Sequence, residues 1–180
     1  MNWLNTLLIL GAAYLVVFAE ASFTPLRTWL GAQVDLLASL MVYASLTRGL
    51  PTLAALAICG GLWFDSLSAN PLGVTVLPLF AVGWAIQRYK GLILRDQLFV
   101  QRLLGLAASA VVPLLTVVLL MNTERKPLLG WFSLWQWLFV SLVGAIVTPV
   151  WFRVFDWLSH ALSYRSLDEP SFRLDREIKR

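Results

Sequence analysis

The chain has 180 residues, of which 59% are hydrophobic and 13% charged, with a formal net charge of +4; an ordinary soluble domain is about 25% charged. Its 24 charged residues are clustered, five in residues 1–87, five in 88–102, three in 124–126 and eleven in 153–180. The apolar runs between them, of about 15–25 residues, match a hydrocarbon core of about 30 Å. They exclude a soluble enzyme, a nucleic-acid binder and a disordered scaffold, and predict a polytopic membrane protein.

Val111–Met121 and Leu134–Val147 are apolar nearly throughout. They lack the alternation of a barrel strand, so the fold class is an all-α membrane helix bundle of six transmembrane helices. The first span runs from Trp3 to Ala19. Ala19-Glu20-Ala21 resembles a signal peptidase site, but residues 1–5 carry no lysine or arginine, so the stretch reads as a retained span. The second takes Thr24 as N-cap and Pro25 at the first helical position and ends near Leu46. The third, from Pro51 to Phe64, covers about 21 Å. That is short enough for residues 50–87 to form either two full spans or re-entrant segments. Asn70-Pro71 opens the fourth, which ends near Gln87. Leu103–Met121 and Trp131–Trp157 complete the set. Pro78, Pro113 and Pro149 fall inside the last three and are expected to kink them. Residues 1–158 thus form the transmembrane domain, and residues 159–180 a charged cytoplasmic tail.

Six spans place eleven lysines and arginines on the side of both termini and three (Arg27, Arg125, Lys126) on the other. The positive-inside rule puts both termini in the cytoplasm. Trp29, Trp63, Trp131, Trp135 and Trp137 then fall near the outer interface, and Trp3, Trp84, Trp151 and Trp157 near the inner one. The segment Arg88–Arg102 mixes cations with Leu92, Ile93, Leu94, Leu98 and Phe99, which suits an interfacial stretch against anionic lipid or a cytoplasmic partner.

Ionisable groups within spans are costly and are functional candidates by default. Asp35 falls about ten residues into the second span, near the midplane, with Gln33 close by and Ala38, Ser39 and Val42 as small helical neighbours. It reads either as a polar contact to a partner helix, ligand or proton, or as an internal bond that fixes packing. Asp65 follows Gly60-Gly61-Leu62-Trp63-Phe64, at a helix C-terminus where the dipole disfavours it. It either accepts N–H bonds from the turn Ser66–Asn70 or contacts a partner protein. Catalytic motifs and paired intramembrane carboxylates are missing from the sequence, and His160 reads as a solvated surface residue. The lone cysteine, Cys59, excludes an internal disulfide. No enzyme activity, cofactor, metal site or nucleic-acid partner is expected. Small-xxx-small pairs occur at Ala57/Gly61, Ala81/Ala85, Gly105/Ser109, Ser141/Ala145 and Gly144/Thr148, each a weak signal for close helix approach.

Residues 60–74, Gly-Gly-Leu-Trp-Phe-Asp-Ser-Leu-Ser-Ala-Asn-Pro-Leu-Gly-Val, resemble the rod shape-determining MreD family of bacteria. Gly61, Asp65, Pro71 and Gly73 carry the resemblance, and chain length, six apolar spans and a short charged C-terminus extend it along the chain. The resemblance implies a non-enzymatic inner-membrane subunit of the cell-elongation machinery. Such a subunit binds MreC and helps couple MreB filaments to peptidoglycan synthesis by RodA and a class B penicillin-binding protein. Asp65, Asp35, Gly61, Pro71 and Gly73 become the candidate partner-binding residues, with membrane lipid around them. The family is similar in fold to the S-components of energy-coupling-factor transporters, so the alternative is a vitamin-binding S-component. That reading needs a polar pocket, for which the spans offer mainly Gln33, Asp35, Ser39, Thr75 and Ser109.

Overall fold

The computed structural model describes residues 2–22, 35–68, 71–93, 97–122 and 131–163. They form helices α1 (Asn2–Ser22), α2 (Leu37–Thr47), α3 (Leu50–Leu67), α4 (Val76–Tyr89), α5 (Leu98–Asn122) and α6 (Trp131–Ser163). Four of the six, α1, α3, α5 and α6, are long and apolar enough to cross a membrane.

Contacts along the helices give their directions. Thr6 of α1 meets Thr52 of α3, Oγ1 to Oγ1 at 3.0 Å, and Tyr14 meets the Trp63 ring edge-on at 5.4 Å, so α1 and α3 are parallel. The Gln87 amide near the end of α4 donates to the Arg48 carbonyl at the end of α2, at 3.2 Å. Tyr43 stacks on Phe155 at 4.5 Å, which aligns the later halves of α2 and α6. Successive helices therefore alternate in direction. One end of the bundle carries Arg48, Arg88, Lys90, Arg102, Arg153 and Asp156; the other carries Glu20, Asp35 and Asp65. All five cations among the described residues lie at the Arg48 end, and three of the four acids lie at the Asp65 end.

Helix α2 is the axis. It touches each of the other five helices, and Leu37 through Leu46 are all buried. A helix enclosed on every side has no use for a polar face, and this one has none. Its hydroxyls are satisfied within the helix instead: Ser45 Oγ donates to the Val42 carbonyl at 2.8 Å and Thr47 Oγ1 to that of Tyr43 at 2.7 Å.

The outer surface is apolar. Among the described residues 32 large apolar side chains are exposed, against 21 apolar residues in the core. On α6 the exposed set Leu134, Leu138, Leu142, Ile146, Val150 and Val154 repeats every four residues and forms one continuous stripe. No aqueous surface carries such a stripe without cost; hydrocarbon does.

Helices α5 and α6 approach closely at two glycines. A Cβ placed on Gly105 would lie 2.5 Å from the Gly144 carbonyl oxygen, and one on Gly144 would lie 2.9 Å from that of Gly105. Two of the weak small-residue signals, Gly105/Ser109 and Gly144/Thr148, thus face each other across one interface. In hydrocarbon, where apolar burial gives no driving force, contact of this kind holds helices together.

Several element boundaries differ from the sequence expectation. The third helix has 18 residues rather than 14, about 27 Å of rise. The fourth starts at Val76, not Pro71, because residues 72–75 are turns. Pro78 is consequently the third helical residue, where its missing N–H has no intrahelical partner to lose, and it does not interrupt α4. Helices α5 and α6 continue through Pro113 and Pro149. Trp137 Nε1 donates at 2.8 Å to the Ala110 carbonyl, one residue beyond the carbonyl that Pro113 leaves without its N–H. The expected domain boundary at 158/159 falls inside α6, which reaches Ser163; residues 164–180 lie outside the described residues.

Candidate functional site

The residues Gly61, Asp65, Pro71 and Gly73 come together in one clasp at the α3–α4 connection. Asp65, in the last turn of α3, is 1% exposed. Its Oδ2 accepts the N–H of Gly73 at 2.8 Å and of Thr75 at 3.1 Å. Its Oδ1 accepts the Thr75 hydroxyl. The carboxylate thus offsets its unfavourable place at a helix C-terminus by capping the entry to α4, whose N-cap is Thr75. The sequence expectation is a local cap on the Ser66–Asn70 turn; among the described residues the donors lie eight and ten residues on, and residues 69–70 lie outside the described residues. Gly73 holds φ at 90°, a conformation that only glycine adopts freely. The Pro71 carbonyl accepts Val74 N–H at 3.3 Å and closes the turn. Gly61 lets the chain return against α3, since a Cβ there would sit 2.9 Å from Val76 Cα.

Asp35 is not mid-helix. It precedes α2, its Oδ1 accepting the N–H groups of Leu37 at 3.1 Å and Ala38 at 3.4 Å, which makes it a side-chain cap at the favourable end of the helix dipole. Residues 24–34 of the expected second span, Gln33 among them, lie outside the described residues. Glu20, which the sequence reading passed over by ending the first span at Ala19, is the second cap. It sits in the last turn of α1, and its Oε1 accepts Leu36 N–H at 2.6 Å. Two carboxyl groups thus serve one helix end, close enough for Asp35 to act electrostatically on Glu20. Glu20 Oε2 is buried without a hydrogen-bond partner among the described residues. Glu20 also borders a cavity of about 20 Å3 with Val17, Ala21, Phe64, Leu67 and Ser68, which brings both caps and the Asp65 clasp to the same end of the bundle. An acid closing an apolar run, at the disfavoured end of its helix, was the available signal.

Among the described residues, Ser39, Thr75 and Ser109 are not brought together. Ser39 Oγ donates to the Leu36 carbonyl at 2.6 Å and accepts Trp151 Nε1 at 3.1 Å. Thr75 belongs to the clasp, and Ser109 lies against Gly144. Trp151 therefore turns inward, away from an interfacial belt, while Trp3, Trp84, Trp135 and Trp157 are more than half exposed. Cys59 is half-buried and free. Among the described residues no three His, Cys, Asp or Glu side chains gather as a metal site. The arrangement supplies rigid, internally bonded helix ends, and the Asp65 end presents them on one face of the bundle. In comparisons with known proteins, no family model, no curated protein and no solved structure matches the chain.

Proposed function

We propose that this chain is a non-enzymatic subunit of a bacterial cell-elongation complex, spanning the inner membrane six times in the manner of an S-component and holding MreC. One observation carries the reading: the four residues through which the sequence resembles the MreD family, Gly61, Asp65, Pro71 and Gly73, act as one structural unit. A clasp built this way is a shape, and shape is what a scaffold offers a partner helix. Asp65 and Asp35 serve the partner by setting the form of the outer end, because both Asp65 oxygens and the Asp35 Oδ1 are bonded within this chain, to backbone N–H groups and to the Thr75 hydroxyl. The collection of cations at the Arg48 end supports placing that end, and both termini, in the cytoplasm.

The test is affinity purification of the tagged chain from membranes of a rod-shaped bacterium, paired with depletion and microscopy. Retention of MreC and rounding of depleted cells are expected. Recovery without MreC together with unchanged cell shape refutes the proposal. A vitamin requirement on depletion, with ligand-dependent thermal stabilisation of the pure protein, would establish the transporter S-component instead.

A further inference from the structure

The end of the α3–α4 hairpin opposite the Asp65 clasp holds a groove of about 230 Å3, lined by Leu50, Trp84, Gln87 and Arg88. Two of its walls are apolar and open, Leu50 being 46% and Trp84 53% exposed. A tryptophan so placed suits the boundary between acyl chains and headgroups. The third wall is fixed, because the Gln87 amide donates to the Arg48 carbonyl. Arg88 adds a cation at an end of the bundle where, among the described residues, five cations face one acid, Asp156. Polar and apolar walls meeting under uncompensated positive charge match one kind of occupant. We propose that this groove seats the phosphate-bearing headgroup of an anionic phospholipid, with Arg88 on the phosphate and the chains leaving along Leu50 and Trp84. Free phosphate shares the charge but has no use for the two apolar walls. The proposal rests on the membrane reading, though not on the MreC reading.

Native mass spectrometry of the full chain, purified in detergent with equal phosphatidylglycerol and phosphatidylcholine, tests it. The wild-type protein is expected to retain phosphatidylglycerol preferentially. Arg88→Gln should lower that retention about fivefold, the factor equivalent to the roughly 1 kcal/mol that a cation contributes at a membrane surface. Trp84→Ala should lower retention of both lipids. Arg153→Gln, which removes an exposed cation on α6, should change nothing. Wild-type retention by Arg88→Gln overturns the proposal, as does an equal loss in Arg153→Gln, which would mean diffuse attraction. Displacement of phosphatidylglycerol by an equal concentration of inorganic phosphate also overturns it, in favour of an ion site. Alkaline carbonate extraction separates the failures: release of the chain from membranes refutes the membrane reading itself, whereas a retained chain with no lipid preference refutes the groove alone.

Discussion

Replacing Asp65 by alanine removes the acceptor of three donors and leaves the donors where they are. Thr75 is 4% exposed, so its N–H has no route to water; Gly73 is half-buried and keeps one. A buried donor left unpaired costs about 1–3 kcal/mol. Two backbone N–H groups, one of them partly rescued by water, therefore give a loss of about 2–4 kcal/mol. Asp65→Asn is the informative companion. Its carbonyl can occupy the Oδ2 position and accept from Gly73 and Thr75. Its NH2 can occupy the Oδ1 position and donate to the Thr75 hydroxyl, which rotates to accept. All three bonds survive, and the loss should be about 1 kcal/mol, the difference between a charged and a neutral acceptor. Gly73→Ala approaches the same turn from the backbone. No atom lies within 4 Å of the added Cβ, so the cost is conformational alone, about 1–2 kcal/mol. Reversible unfolding in detergent micelles measures all three. The reasoning fails if Asp65→Ala stays within about 0.5 kcal/mol of wild type, the range of an indifferent surface change. It also fails if Asp65→Asn proves as damaging as Asp65→Ala.

Three further outcomes are expected from the same measurement. Gly144→Ala should cost about 1–3 kcal/mol by overpacking, because its Cβ would lie 2.5 Å from Ser109 Cβ. Ser109→Gly should recover only part of that loss, since the Gly105 carbonyl oxygen, a backbone atom, still lies 2.9 Å from the added Cβ; two independent, additive losses would count against a shared interface. Glu20→Leu strands Leu36 N–H and should cost about 1–3 kcal/mol. Glu20→Gln keeps the acceptor for Leu36 N–H, so its stability should stay near that of the wild type, and a loss matching Glu20→Leu would contradict the double-cap geometry. Trp151→Phe deletes the bond to Ser39 while preserving ring packing on Phe155 (5.9 Å); a loss of about 1 kcal/mol is expected, against none if that bond is incidental.

Sequence by itself determined the helical class, the apolar character of the helices and much of the placement of α1, α5 and α6, because charge spacing and hydropathy are local quantities. It also marked Asp65 as a residue needing a local reason, since a carboxylate at a helix C-terminus opposes the dipole wherever the helix lies. Only the tertiary structure decided what each polar group bonds to. Glu20 reaches Leu36 across 16 residues, and Trp151 reaches Ser39 across 112. Asp65 takes Gly73 and Thr75, eight and ten residues on, and Asp35 becomes a cap because α2 begins at Leu37. The same holds for the small-residue pairs: as small-xxx-small signals, Gly105/Ser109 and Gly144/Thr148 rank no higher in the sequence than Ala81/Ala85. Two helices must cross at those glycines before the missing side chains matter, and hydropathy carries no record of which helices cross.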